Sequence, residues 1–142
     1  MIKIALVDEP IALEKWEPKL FDVDTGAHGW FTGVTRRVTK DASGEIFVTR
    51  TLHYEAHRSM ALAELRRLAD QACQQHALRG VVIVHRLGEV PLGEASVLVG
   101  CGAAHRTNVF TALPWIMDRL KQDVPIWKRE TYEDDRTEWI HR

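Results

Sequence analysis

VVIVHRLGEVPLGEASVLVGCGAAHRTNVF, residues 81–110, contains two apolar runs, a polar interval and the start of a helix. Residues 81–84 form an apolar run short enough for a buried strand, and residues 95–101 repeat that pattern. GEVPLGE between them, with two Gly and a Pro, reads as a turn. Beyond the second run, Val109, Ala112, Leu113, Ile116, Met117 and Leu120 recur at helical spacing and predict a helix over residues 105–123. Pro114 inside it removes a hydrogen bond and is expected to kink it.

Upstream, Ala61, Leu65, Leu68 and Ala72 are three or four residues apart, with charged residues between them, and predict an amphipathic helix over residues 57–78 that Gly80 stops. Residues 27–38 and 45–55 read as strands joined by a DASG turn at 41–44, forming a hairpin. Residues 1–7 alternate as a strand does, and a short helix near 11–21 is cut by Pro18. After Pro125, residues 126–132 and 137–140 are closing strands. The sum is an α+β domain spanning residues 1–142, with two long helices on one face of a mainly antiparallel sheet. A helix between the third and fourth strands also permits a parallel crossover, and so a mixed sheet.

The chain has 142 residues, 45% of them hydrophobic, with 19 Lys+Arg against 20 Asp+Glu and a net charge of −1. That length can bury a core without staples, and the charge balance argues against broad nucleic-acid binding, which depends on phosphate neutralisation. No apolar run approaches the roughly 18 residues of a membrane span, so a soluble, cytoplasmic protein without membrane contact is expected. Cys73 and Cys101 are too few and too far apart for a disulfide framework or a four-cysteine zinc site.

Three places could carry chemistry. At VGCGAAHRTNVF, small residues precede a helix start at His105-Arg106, where free N–H groups and cationic donors suit an anion; a plain helix cap is the simpler reading. In LKQDVPIWKRE, a turn would fold Lys121 and Lys128 toward each other. Close ammonium groups disfavour each other's charge, which would suit a base or nucleophile; a lysine also stabilises an oxyanion as a point charge. Two surface lysines are the alternative. In FTGVTRRVTK, Arg36, Arg37 and Lys40 form a cationic arm that could equally be solvated. His85-Arg86, at the end of a buried strand, reads as a structural ion pair with Glu89 or Glu94 at least as readily as a ligand contact. His53 and His57 lack zinc-protease spacing, so no metal site is expected, and Cys101 reads as a small buried thiol rather than a nucleophile partnered by His105.

Taken in order, FTGVTR, LHYEAHRSM, VIVHRLGEVPLGEASVLVG, AAHRTNVF and LKQDVPIWKRE closely resemble the large, catalytic subunits of molybdopterin synthase, across residues 26–130. The resemblance implies an α/β-hammerhead fold. It implies a sulfurtransferase that converts cyclic pyranopterin monophosphate to molybdopterin, in molybdenum-cofactor biosynthesis. The sulfur comes in two rounds from the C-terminal thiocarboxylate of a small ubiquitin-like carrier subunit. A homodimer of large subunits with a carrier at each end, a heterotetramer, is implied too, with no metal or redox cofactor. By motif, Lys121 and Lys128 match the catalytic lysines. His105 and Arg106 match pterin and phosphate contacts, Val34, Thr35 and Arg36 the substrate loop, Arg129 and Glu130 a contact strip, and Phe31 and Met117 apolar pocket positions. Thr35 stands where relatives often carry valine, and late C-terminal contacts made by longer relatives would either be missing or fall to Arg136, His141 and Arg142. A non-catalytic module holding an anion, a nucleotide or the carrier tail is the competing reading, and a Cys101 persulfide carrier a weaker third. A single basic pocket is compatible with the near-zero net charge.

Overall fold

The computed structural model describes residues 1–140; the contacts expected of His141 and Arg142 lie outside the described residues. Two sheets share the strands, where the sequence suggested one. The first has the order β1 (Ile2–Val7), β5 (Leu78–Arg86), β7 (Ala95–Ala103) and β2 (Ala27–Val34). β1 runs parallel to β5, while β5–β7 and β7–β2 are antiparallel, so this sheet is mixed. The second contains β3 (Val38–Lys40), β4 (Ile46–Ala56), β8 (Ile126–Tyr132) and β9 (Thr137–Ile140), with β6 (Gly88–Pro91) also paired to β4.

Helices α2 (Arg58–His76) and α3 (Arg106–Asp123) pack on one face of the first sheet, α2 over β1 and β5, α3 over β7 and β2. Leu65 and Leu68 of α2 meet Val81, Ile83, Val97 and Val99 there. Burying such a side chain stabilises the fold by about 1.5–3 kcal/mol each. The opposite face carries Val82, Val84 and Leu98, covered by Trp16 of the short helix α1 (Leu13–Trp16) and Leu20 of the 3-10 turn that follows it. Among the described residues no helix is long and apolar enough to cross a membrane.

Four local expectations are corrected. The strand expected over residues 27–38 is two strands in different sheets, because Thr35 turns inward between them and is buried. The hairpin is therefore β3–β4, while β2 pairs with β7. The interval between β5 and β7 is not all turn, since Gly88–Pro91 adds a short strand to β4. Gly80 lies inside β5, and α2 instead ends at Ala77, whose φ of 51° is left-handed. Helix α3 runs unbroken through Pro114. The proline leaves the Phe110 carbonyl without its helical donor, and both residues are exposed, so water can satisfy it.

Candidate active site

A cleft of about 560 Å3 opens where the two sheets and the end of α3 converge. Its first wall is the end of β2. Gly33 matters here because a Cβ on it would lie 2.7 Å from Val97 Cγ1, so the missing side chain lets β2 close against β7. The register slips between Gly33 and Val34, and the strand then leaves the sheet. Thr35 pins that exit: its N–H donates to the Glu94 carbonyl (3.0 Å) and its hydroxyl to the Val90 carbonyl (3.3 Å). Thr35 is 2% exposed and does not line the cleft, so it anchors the loop rather than facing a ligand. Phe31, Val34 and Arg36 around it do line the cleft, and the Arg36 guanidinium donates to Thr39 Oγ1 (3.3 Å).

The second wall is the last turns of α3, which place Met117, Leu120 and Lys121 on the cleft. Lys121 is exposed at the helix end, where the helix dipole favours a cation. The third wall is the second sheet. Successive side chains on a strand point to opposite faces, so Ile126, Lys128, Glu130 and Tyr132 of β8 all line the cleft. Lys128 is half-buried and lies opposite Tyr54 of β4. Arg129 turns the other way and does not reach the cleft: its guanidinium lies over the Trp139 ring, 5.5 Å from the centroid, with Nε buried and lacking a partner.

Deeper polar groups complete the walls. The buried Glu130 carboxylate accepts from Thr49 Oγ1 and from the Tyr132 hydroxyl (3.3 Å), and that hydroxyl also lies 2.9 Å from Glu138 Oε2. Burial and the flanking Glu138 and Glu130 carboxylates hold the Tyr132 phenol protonated far above the ordinary tyrosine range. His85 is 5% exposed, packs edge-on against Tyr54 at 4.9 Å, and also lines the cleft. Burial pulls its pKa down to about 4. The structural reading of its neighbour holds, since Arg86 donates to Glu94 at 2.8 Å.

His105 and Arg106 are elsewhere. Both are exposed at the start of α3, and His105 makes no side-chain capping bond. Fifteen residues separate Arg106 from Lys121, a rise of roughly 22 Å along the axis. Within one chain they do not border the cleft. Cys101 is fully buried, and desolvation pushes its thiol up to about 12, against a role as nucleophile.

The MoaE protein family matches residues 6–123. This chain belongs to the MoaE family. The molybdopterin synthase catalytic subunit of Emericella nidulans is 39% identical over 115 residues, 81% of this chain and 56% of that protein. The namesake subunit of Drosophila erecta is 38% identical over 141 residues, 98% of this chain but 37% of the fly protein. The chain thus spans about half or less of these two curated relatives. Among solved structures, the crystal structure of molybdopterin synthase from Staphylococcus aureus superposes with a TM-score of 0.85 and 32% identity, covering 96% of each chain.

In this MoaE chain, sequence reasoning placed Phe31, Val34, Arg36, Met117, Lys121, Lys128 and Glu130 on what proves to be one cleft. It missed Tyr54, Tyr132 and Glu138 and left His85 open between a structural pair and a ligand contact. Strand alternation carried the signal for one of these: Tyr132 lies two residues from Glu130 on the same strand face. Tyr54 sits on the neighbouring strand opposite Lys128, a pairing invisible without the fold.

Proposed function

We propose that this chain is the catalytic subunit of a molybdopterin synthase and transfers sulfur from the thiocarboxylate tail of a small carrier protein to cyclic pyranopterin monophosphate. The observation that carries the reading is the convergence of Arg36, Lys121 and Lys128, from three separate stretches of sequence, on one cleft beside Phe31 and Met117. Three cations against an apolar wall suit a flat heterocycle bearing a phosphate, together with an anionic sulfur donor. In each round the carrier's acyl carbon–sulfur bond breaks, and a carbon–sulfur bond forms on the pyranopterin in place of a carbon–oxygen bond, whose oxygen passes to the acyl carbon directly or by way of water with no net change of oxidation state. An oxygen replaces the sulfur on the acyl carbon, and the carrier leaves as its carboxylate. Lys128 is assigned to covalent or acid/base contact with the thiocarboxylate, and Lys121 to activation and stabilisation of the developing negative charge.

His105 and Arg106 keep their proposed role as phosphate contacts through dimerisation. One substrate cannot span the rise between Arg106 and Lys121 within a chain, so a second copy would present its own helix start to this cleft. The small carrier subunit is the further partner, completing a heterotetramer in the cytoplasm. Glu130, held by Thr49 and Tyr132, belongs to the cleft wall and shapes it. Arg129 supports the strand from the far side through Trp139.

The test is conversion of the precursor by thiocarboxylated carrier, using Lys121→Ala and Lys128→Ala proteins whose fold and oligomeric state are checked by circular dichroism and sedimentation. Each variant is expected to lose at least about a hundredfold in turnover, the usual scale for removing an acid/base or charge-stabilising group. Full turnover in both would leave a binding module that holds the anion or the carrier tail without chemistry.

A further inference from the structure

Among the described residues His85 is the one histidine of the cleft wall, and its surroundings fix which ring nitrogen carries the proton. Nδ1 lies 2.9 Å from the Arg86 carbonyl oxygen, an atom that only accepts, so the hydrogen sits on Nδ1. Nε2 is therefore a bare acceptor. Among the described residues it makes no hydrogen bond. Yet it is not one of the side-chain nitrogens sealed from solvent without a partner, which are His76 Nε2, Arg86 Nε and Arg129 Nε. An acceptor that is unpartnered but not sealed, on a residue 5% exposed whose ring lines a cleft, looks into that cleft.

The ring cannot readily turn away. Its Nδ1–H is tied to the strand backbone and its plane is packed edge-on against Tyr54. We propose that His85 Nε2 accepts a hydrogen bond from a ring N–H of the bound pterin and so fixes the heterocycle in the cleft. The assignment rests on the functional reading above. It follows from charge and pairing: Arg36, Lys121 and Lys128 offer only donors, which suit phosphate and thiocarboxylate, and the lining carboxylates Asp41, Glu130 and Glu138 already accept from Ser43, Thr49 and Tyr132, whereas a pterin also carries N–H groups that need an acceptor. A neutral imidazole supplies one acceptor without placing a negative charge beside the incoming anions. Phe31 and Met117 supply apolar contact for the ring.

The experiment compares His85→Gln, whose terminal amide reaches the Nε2 position, with His85→Asn, whose amide reaches only the Nδ1 position. Binding of cyclic pyranopterin monophosphate and of the unmodified carrier are measured separately by calorimetry, alongside turnover. His85→Asn is expected to weaken pterin binding about tenfold, the scale of one lost hydrogen bond in a desolvated site, and His85→Gln to stay within about threefold of wild type. Carrier affinity should not move in either. In wild-type protein carrying 15N-labelled histidine, the Nε2 resonance of His85 should shift when the precursor is added while Nδ1 stays protonated; this readout needs no variant to fold. Equal pterin affinity in the two variants, an equal loss of pterin and carrier affinity, or an unmoved Nε2 resonance would overturn the assignment while leaving the enzyme reading intact. Wild-type protein that neither binds nor converts the precursor would instead overturn the functional reading and this assignment with it.

Discussion

Arg106 begins the helix that Lys121 all but ends, so the two cations proposed for one substrate lie roughly 22 Å apart along α3 in a single chain. A two-fold dimer is the simplest arrangement that lets one copy's Arg106 serve the other copy's Lys121. Mixed dimers test this. Lys121→Ala and Arg106→Ala homodimers should each be nearly inactive, because every cleft lacks one group. Refolded together from an equimolar mixture, half the dimers are hybrids, and each hybrid retains one cleft with both groups. Activity should return to roughly a quarter of wild type. No recovery, with hybrids confirmed by native mass spectrometry, would mean that Arg106 does not act across the dimer.

The same helix covers Cys101, and its chemistry gives a simple check. The thiol is fully buried and its pKa is pushed up to about 12 by desolvation, with the Cys73 thiol as a lesser influence. Almost none of it is thiolate near neutrality. Iodoacetamide should therefore label Cys101 only after denaturation, and Cys101→Ala should retain turnover while losing about 1 kcal/mol of stability through the small cavity. Loss of turnover in a folded Cys101→Ala protein would revive the persulfide-carrier reading.

What the sequence disclosed and what it hid divide along the range of the interactions. Periodicity exposed α2, α3, β5 and β7, because buried stripes and short apolar runs are local patterns. β6 escaped because Gly88 and Pro91 read as turn residues, whereas its pairing with β4 joins segments some 37 residues apart. The split between β2 and β3 escaped for a similar reason: the inward Thr35 is held by the backbone of residues 90 and 94. In the site, Lys121 and Lys128 were visible as residue types flanking a turn. Arg129 was grouped with them although strand alternation already places neighbours on opposite faces. His85 stays undecided between a structural and a ligand role in the sequence, because nothing local shows that β5 ends at a cleft.

Acid sensitivity follows from the burial of His85. Its pKa is about 4 in the folded chain against about 6.5 when unfolded. Between those values the unfolded state binds the proton and the folded state does not, so stability is present in full above about pH 6.5 and falls as the pH drops toward 4. The loss amounts to about 3 kcal/mol across the window and levels off below it. Urea titrations at pH 7, 5.5 and 4.5 should show this slope in wild type and a shallower one in His85→Gln, which has no imidazole to protonate. Parallel profiles would mean that the imidazole is already solvated enough to charge in the folded state.

Gly100 sets the fit between β7 and the indole of Trp30. A Cβ there would come within 2.3 Å of Trp30 Cζ3. The indole has little room to retreat, because its Nε1 donates to His28 Nδ1 at 3.1 Å and its ring packs against the cluster of Leu20, Val82, Val84 and Leu98. Gly100→Ala should therefore cost about 1–3 kcal/mol, the range for overpacking a filled site. It should lower the urea midpoint without changing the slope of the transition. Pairing it with Trp30→Leu should recover part of the loss, because the smaller side chain vacates the contested volume, and a double-mutant cycle would read that as a coupling of opposite sign to the single losses. Gly100→Ala with wild-type stability, or strictly additive losses in the pair, would show that the indole yields freely and that this contact does not hold β7 against β2.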